Sequence, residues 1–434
     1  MTIEISEEDG KYMYALVERI VNEVGPRMSC SPQEAQGTNV IKEELEKSCD
    51  DVGLESFSCH PRAFLGWIKI VLVLSIISIC TYLVMQLFEE FIWLLSLAAI
   101  SFGLIILAFI IMWEEFFNYK EFIDPLFRKK QSQNVIGKFN PKGEPKKIII
   151  FSSHIDSALQ FTLLKLLGKM AFLIVIGAIF IFLIWIVISF IILVIIALGF
   201  LFPELLALKG VFVILTIILL IVGMPCFITL FFFVPRGDKG NVVPGSVDNL
   251  SSCSVVVGLS RYLKNHGDII PANTEIRLIS FGCEEAGLRG AYRYAAAHLD
   301  ELKKYDAMVV NMDGLDTPDK FKVIEFEPTT RTWHSEEVVQ KLLNAAKSAG
   351  IEAHRFGTGK LEKTIGRLSG GSDAAAFSKA NIKAALLYSA DLKIRATYYH
   401  QDADTPDKIQ PGTLENALKI CIAFLINEAK NPDQ

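Results

Sequence analysis

The sequence has no surplus of charge of either sign. Its 434 residues hold 43 lysines and arginines against 48 aspartates and glutamates, a formal charge of -5. No polybasic stretch stands out, so a nucleic-acid partner is not expected. Cysteine is sparse and irregularly spaced: Cys30, Cys49, Cys59, Cys80, Cys226, Cys253, Cys283 and Cys421 form no CxxC pair and no disulfide-style ladder. Reduced, mostly buried thiols are the expectation. The N-terminal stretch MTIEISEEDGKYMYALVERI is acidic and amphipathic. Lacking a basic segment ahead of an apolar core, it does not read as a cleaved signal peptide. There is no internal repeat and no low-complexity tract. Gly370 and Gly371 are not followed by the Lys-Ser/Thr pair of a phosphate-binding loop.

What the sequence has in quantity is apolar residues, 51% of the chain, more than an ordinary soluble enzyme carries. Runs at about Phe64–Leu87, Phe91–Trp113, Ala171–Phe202 and Gly210–Val234 each reach the roughly 20 residues that a membrane-crossing helix needs. Lys69 lies near one run's end, where it can snorkel. Glu89 and Glu90 join the first pair of runs, and PELLALK (Pro203 to Lys209) joins the second. Each pair therefore reads as a transmembrane hairpin, 64–113 and 171–234. Residues 1–63, 114–170 and 235–434 then fall on one side as a discontinuous domain. Flanks on that side carry Arg62, Lys120, Arg128, Lys129, Lys130, Lys165, Lys169, Arg236 and Lys239, whereas the opposite loops carry only Lys209 among Glu89, Glu90 and Glu204. By the positive-inside rule, an integral membrane protein of four spans with its bulk facing the cytoplasm is expected. The runs hold no series of ionisable residues of the kind a transport path requires. The hairpins read as anchors or substrate guides.

Outside the hairpins, strand patterns (GLESFSCH, NVIGKFN, KKIIIFSSH, TEIRLISFG, DAMVVNMD, IKAALLYS) alternate with helical ones. An α/β fold follows: three αβα layers around a mixed, mostly parallel sheet, plus a four-helix transmembrane part. Polar residues gather at the predicted strand ends. They are His154 and Asp156 after IIIFSS, Asp248 in GSVDNLSS, Glu284 and Glu285 after RLISFGC, Asp313 after VVNM, and His400 in YYHQDADTPD. Carboxylates and imidazoles crowded at one sheet edge would repel without a cation. Catalytic zinc takes such N and O ligands and leaves a position open; two metals sharing a carboxylate make a hydrolytic centre. At a strand end successive side chains point to different sides. One of two adjacent glutamates can then bind metal while the other moves protons.

In this order, HID, VDN, CEEAGLRGA, NMDG and YYHQDADT resemble the motifs of the co-catalytic di-zinc aminopeptidase family, which includes bacterial leucyl aminopeptidases, glutamate carboxypeptidase II and carboxypeptidase Q. The resemblance runs from about Asn134 to the C-terminus and extends to the N-terminal helices. It implies the zinc exopeptidase fold and a membrane-anchored metallo-aminopeptidase that hydrolyses N-terminal residues of peptides with a di-zinc activated water. Carried over residue by residue, it makes Asp248 the bridging ligand. His154 and Asp313 complete one site, and Glu285 and His400 the other, for two Zn2+ (or Co2+ or Mn2+). Glu284 is implied as general base. Asp156 would hydrogen-bond His154 and fix its tautomer, Asp404 would support the His400 loop, and Asp373 is a further supporting carboxylate. Tyr398 or Tyr399 would donate to the developing oxyanion.

Carboxypeptidase, dipeptidase or glutaminyl cyclase chemistry on the same fold stays open. Arg289, Arg331, Arg355 and Arg367 are available to bind a substrate carboxylate. Outside enzymes, the alternative is a peptide-binding membrane receptor or transporter, against which the complete ligand set weighs. The chain departs from the family where the second hairpin separates His154 from Asp248 in place of a short loop. A tight hairpin returns the chain near its start, so such an insertion is tolerable. It ties a loop beside the metals to the bilayer, which favours apolar or membrane-derived peptides.

Overall fold

A computed structural model describes residues 4–168, 170–360, 362 and 370–430. Lys169 and Arg367 lie outside the described residues. The chain forms two units: Met1–Pro61 with Arg128–Gln160 and Gly237–Gln434, and Arg62–Phe127 with Phe161–Arg236.

Among the described residues, the first unit is built on ten strands: β1 (Asp51–Cys59), β2 (Lys130–Phe139), β3 (Lys147–His154), β4 (Thr274–Phe281), β5 (Met308–Leu315), β6 (Phe321–Ile324), β7 (Phe326–Glu327), β8 (Thr332–Trp333), β9 (Ala353–Phe356) and β10 (Lys383–Ser389). Eight form one sheet in the order β1-β2-β4-β3-β5-β10-β6-β9, and β7 pairs with β8. The centre, β4-β3-β5-β10, is parallel, and antiparallel pairings enter at β1-β2, β2-β4 and β10-β6.

β3 shows why the sheet has two covered faces. Within its sequence KIIIFSSH the run Ile148–Phe151 is apolar without a break and buried throughout, as a doubly covered strand requires. Ile149 and Phe151 enter one cluster with Val256, Leu342 and Leu418; Ile148 and Ile150 enter another with Tyr294, Leu302 and Phe377. The first face is covered by helices Glu7–Glu23, Pro32–Glu46, Ser251–Asn265, Glu336–Ser348 and Thr413–Lys430, the second by Arg289–Ala297, Leu299–Lys304 and Asp373–Lys379. Layers of helix, sheet and helix result. Two helix starts follow ordinary capping chemistry: Ser6 accepts from the Asp9 N–H, and Ser31 accepts from the Glu34 N–H with Pro32 next in line.

Among the described residues, the second unit holds four helices long and apolar enough to cross a membrane, Ala63–Met85, Phe91–Phe117, Met170–Leu198 and Pro203–Phe231. The link PELLALK is itself helical, a 3-10 turn over Pro203–Leu208 that leads into Lys209–Phe231. Inside the bundle, Ser78 and Ser101 each donate to the other's carbonyl at 2.7 and 2.8 Å, and the Trp185 indole donates to the Ser78 hydroxyl at 2.8 Å. These hydroxyls satisfy one another where no water competes. Leu173, Phe180, Val187, Ile214 and Ile221 face outward and exposed, an apolar exterior suited to lipid.

One buried cation organises the approach to the sheet edge in the first unit. The Arg27 guanidinium donates to the carbonyls of Ile155 at 2.9 Å, Gly25 at 2.8 Å and Gly245 at 3.1 Å. It thereby ties the residue after β3 to the turn before Asp248. Gly245 sits at φ +61°, and a Cβ there would lie 2.6 Å from the Asp248 carbonyl oxygen, so the turn needs glycine. Arg27→Met would remove the guanidinium donor from the buried Ile155 carbonyl and cut the tie to the Gly245 carbonyl, which keeps the Leu250 N–H at 3.1 Å. It is expected to cost about 2–4 kcal/mol in chemical denaturation of the intact protein; an unchanged midpoint would refute this role.

Candidate metal centre

β3, β4 and β5 run parallel, so their carboxyl ends share one edge, which is where open α/β sheets place their ligands. His154 is the last residue of β3, Glu284 and Glu285 follow β4, and Asp313 stands near the end of β5. Asp248 comes from the turn Ser246–Leu250 ahead of helix Ser251–Asn265, and its peptide bond to Asn249 is cis. The Asn249 side chain donates to the Met312 carbonyl at 3.0 Å and accepts from the Gly314 N–H at 3.3 Å. That pair fixes the turn against β5.

These residues converge. His154 Nε2 lies 3.2 Å from Asp248 Oδ1, 3.8 Å from Glu284 Oε2 and 3.9 Å from Asp313 Oδ1. His400 Nε2 lies 3.6 Å from Asp248 Oδ2 and 3.5 Å from Glu285 Oε1. Three donor groups, each within 4.8 Å, arise: His154, Asp248 and Asp313; Asp248, Glu285 and His400; His154, Glu284 and Glu285. The Asp248 carboxylate thus turns one oxygen to each imidazole. An ion at roughly 2.0–2.2 Å from N and O donors is compatible with separations of this size. His154 Nε2, Glu285 Oε1 and Asp313 Oδ1 are buried and make no hydrogen bond among the described residues. Such orphaned atoms fit a cation.

Electrostatics agree. Burial pushes the Glu284, Glu285 and Asp373 carboxyls well above the usual carboxylate range. Burial also acts on Asp248, but His154, His400 and Arg395 hold it well below that range. Burial opposes a charge on His154, yet Glu284, Asp156, Asp248 and Asp313 hold its pKa well above the ordinary value.

The supporting residues take specific posts. Asp156 Oδ1 accepts from the Glu284 N–H at 3.0 Å; its Oδ2 accepts from the Glu285 N–H at 3.1 Å and the Ser29 hydroxyl at 2.6 Å. For His154 Nδ1 the nearer partner is the Asp156 carbonyl oxygen, at 3.1 Å, and the carboxylate stands at 3.5 Å. Asp404 accepts from the Val247 N–H at 2.8 Å and the Asp248 N–H at 3.2 Å, so its carboxylate serves the Asp248 turn. Asp373 is fully buried at the start of its helix, and neither oxygen makes a hydrogen bond among the described residues. The tyrosines separate: the Tyr398 hydroxyl donates to Asp316, whereas the Tyr399 ring stacks on His400 with centroids 3.9 Å apart.

Sequence reasoning passed over Arg395. Its Nη2 donates to Asp248 Oδ2 at 3.1 Å, and its buried Nη1 makes no hydrogen bond among the described residues. A Cβ at Gly314 would come within 2.0 Å of that Nη1, so glycine at 314 makes room for the guanidinium. Arg355, in contrast, pairs with Glu325 and Glu336 on the surface.

Residues 234–425 match the family model described as Peptidase family M28. Aminopeptidase YwaD of Bacillus subtilis is 30% identical over 190 residues, which are 43% of this chain and 38% of that protein. The chain thus spans well under half the length of that curated relative. Among solved structures, BSAP, a zinc aminopeptidase from Bacillus subtilis, superposes with a TM-score of 0.51 at 15% identity, covering 98% of this chain and 96% of that one. A glutaminyl cyclase from Fimbriiglobus ruber superposes at 0.53 with 11% identity, over 98% and 97% of the two chains. The structural likenesses speak to the fold, which is the mixed, mostly parallel three-layer fold expected from the sequence. The matched segment, residues 234–425, is similar to Peptidase family M28.

Proposed function

We propose that this protein, with its M28-type segment and the centre that segment helps build, is a membrane-anchored zinc exopeptidase that removes N-terminal residues from peptides. The observation that carries the reading is the Asp248 carboxylate, shared between the donor group of His154 and Asp313 and that of Glu285 and His400. His154, Asp248 and Asp313 would hold one ion, and Asp248, Glu285 and His400 the other. Bound there, the ions supply Lewis acidity toward the scissile carbonyl and a water that is acidic near neutral pH. Glu284 is the general base: it takes a proton from the attacking water and returns it to the leaving amine. Asp156 positions Glu284 by holding the backbone N–H groups of both glutamates. Tyr399, whose ring stacks on His400, would donate to the carbonyl oxygen, and the Tyr398 hydroxyl donates to Asp316.

The four apolar helices anchor the protein, and the basic flanks orient its bulk to the cytoplasm. Chain leading from His154 enters an apolar helix soon after, which favours apolar or membrane-derived peptides. Arg395 supports a second reading. A buried guanidinium with an unbonded Nη1 suits a substrate carboxylate, as a dipeptidase or carboxypeptidase would bind.

Detergent-purified protein supplied with zinc separates these readings. A short apolar peptide with a free N-terminus is expected to be cleaved, and its acetylated form is not. Glu284→Gln is expected to lower kcat roughly 100- to 10,000-fold with metal content retained. Equal cleavage of both peptides, abolished by C-terminal amidation, would favour the carboxypeptidase reading. No cleavage despite bound metal would turn attention to a cyclase or a binding protein. Tyr399→Phe is expected to lower kcat by about 100-fold, while Tyr398→Phe leaves it within about threefold and weakens stability through the lost Asp316 bond. The reverse pattern would exchange the two roles.

A further inference from the structure

Three cysteines far apart in sequence meet at one buried point of the first unit. Cys30 precedes helix Pro32–Glu46, Cys59 ends β1, and Cys283 follows β4. Cys30 Sγ lies 3.3 Å from Cys59 Sγ and 3.3 Å from Cys283 Sγ, and the third edge is 3.5 Å. Cys59 and Cys283 are fully buried and Cys30 is 9% exposed, so the triangle opens to solvent only past Cys30. Cys30 and Cys283 hold left-handed backbone at φ 58° and 56°, uncommon for residues with a Cβ.

A triangle with nearly equal edges differs from a disulfide in waiting, which would single out one pair and leave the third sulfur aside. A chance pocket of apolar thiols would not recruit a carboxylate either. Here Glu34, 2% exposed, places Oε1 3.4 Å from Cys283 Sγ. The same carboxylate accepts from the N–H groups of Cys30 at 2.7 Å and Cys283 at 2.8 Å, which fixes the backbone that presents two of the sulfurs. The other buried cysteines stand singly: Cys253 donates to the His154 carbonyl, and Cys421 contacts Met312.

We propose that Cys30, Cys59 and Cys283 form a tri-thiolate socket for a thiophilic d10 cation of the Zn2+, Cd2+ or Cu+ class, separate from the carboxylate and histidine centre. An ion about 2.3 Å from each sulfur would sit just off the plane of this triangle, on sulfur separations of roughly 3.8 Å in a tetrahedral site. Opening the edges by a few tenths of an ångström admits it. Soft sulfur ligands select this class over Mg2+ or Ca2+, and Glu34 offers the nearest oxygen. Binding releases the thiol protons to water and needs no oxidant. The ion would cross-link the chain ahead of the second helix, the end of the edge strand β1 and the residue immediately before Glu284. Its role is to brace the glutamate pair.

Cadmium titration of the full-length, reduced, metal-stripped protein in detergent tests this. Thiolate-to-cadmium charge-transfer absorption reports sulfur ligands and is blind to histidine and carboxylate. The expected result is a band that saturates at one Cd2+ per chain, falls to less than half in Cys59→Ser and Cys283→Ser, and persists in Cys421→Ser. X-ray absorption on unmutated, cadmium-loaded protein should show a sulfur shell, which keeps the test decisive if a variant fails to fold. The proposal is overturned if no band appears in protein with all eight thiols titratable after denaturation, or if the band survives both serine variants. It is also overturned if unmutated protein lacks two of these thiols as a disulfide and binds no cadmium.

Discussion

A carboxylate taken out of water must find a proton, a cation or several N–H donors. The carboxyl edge of the central sheet is arranged around that requirement. Asp156 and Asp404 meet it with backbone N–H groups, and in doing so they fix the Glu284–Glu285 segment and the Asp248 turn. Asp248 meets it with two imidazoles and Arg395. Glu284, Glu285 and Asp373 are left pushed toward protonation by burial. The satisfied acids form the frame, and the unsatisfied ones mark where positive charge is wanted.

The rest of the unit serves to hold that frame still. Parallel strands bring their ends together without further instruction, but Asp248 is not on a strand and has to be delivered. Arg27, Gly245 and Asn249 do so from three directions: a guanidinium clasping carbonyls, a turn only glycine enters easily, and an amide pinned to β5. None of them touches the donor atoms, yet each fixes where one of those atoms stands.

Much of this was legible in the sequence, for reasons that differ by residue. Long buried strands such as β3 and β4 announce themselves as apolar runs, and His154 and the two glutamates stand out because charge follows such runs abruptly. β6 to β9 gave no comparable signal. They are two to four residues long, and β9 is an edge strand with an exposed pattern, so no period can develop. The Asp156 carboxylate was expected to serve His154, but it also carries the backbone of the glutamates, and a backbone donor leaves no trace in side-chain identity. Arg395 and the cysteine triangle were invisible for a topological reason. Their partners are distant in sequence (Cys30 and Cys283 lie 253 residues apart), and only the sheet order brings them together.

The discontinuity of the first unit also imposes a schedule on the chain as it is made. β1 is synthesised early but can pair with β2 only after the helices Ala63–Met85 and Phe91–Phe117 have been produced. β3 then waits, both edges open, until Met170–Leu198 and Pro203–Phe231 have passed and β4 and β5 exist to flank it. An apolar strand with free edges invites mispairing for as long as it waits. The production of these apolar helices therefore sets the clock for completing the sheet, and any delay there lengthens the time for which β3 stands unpartnered.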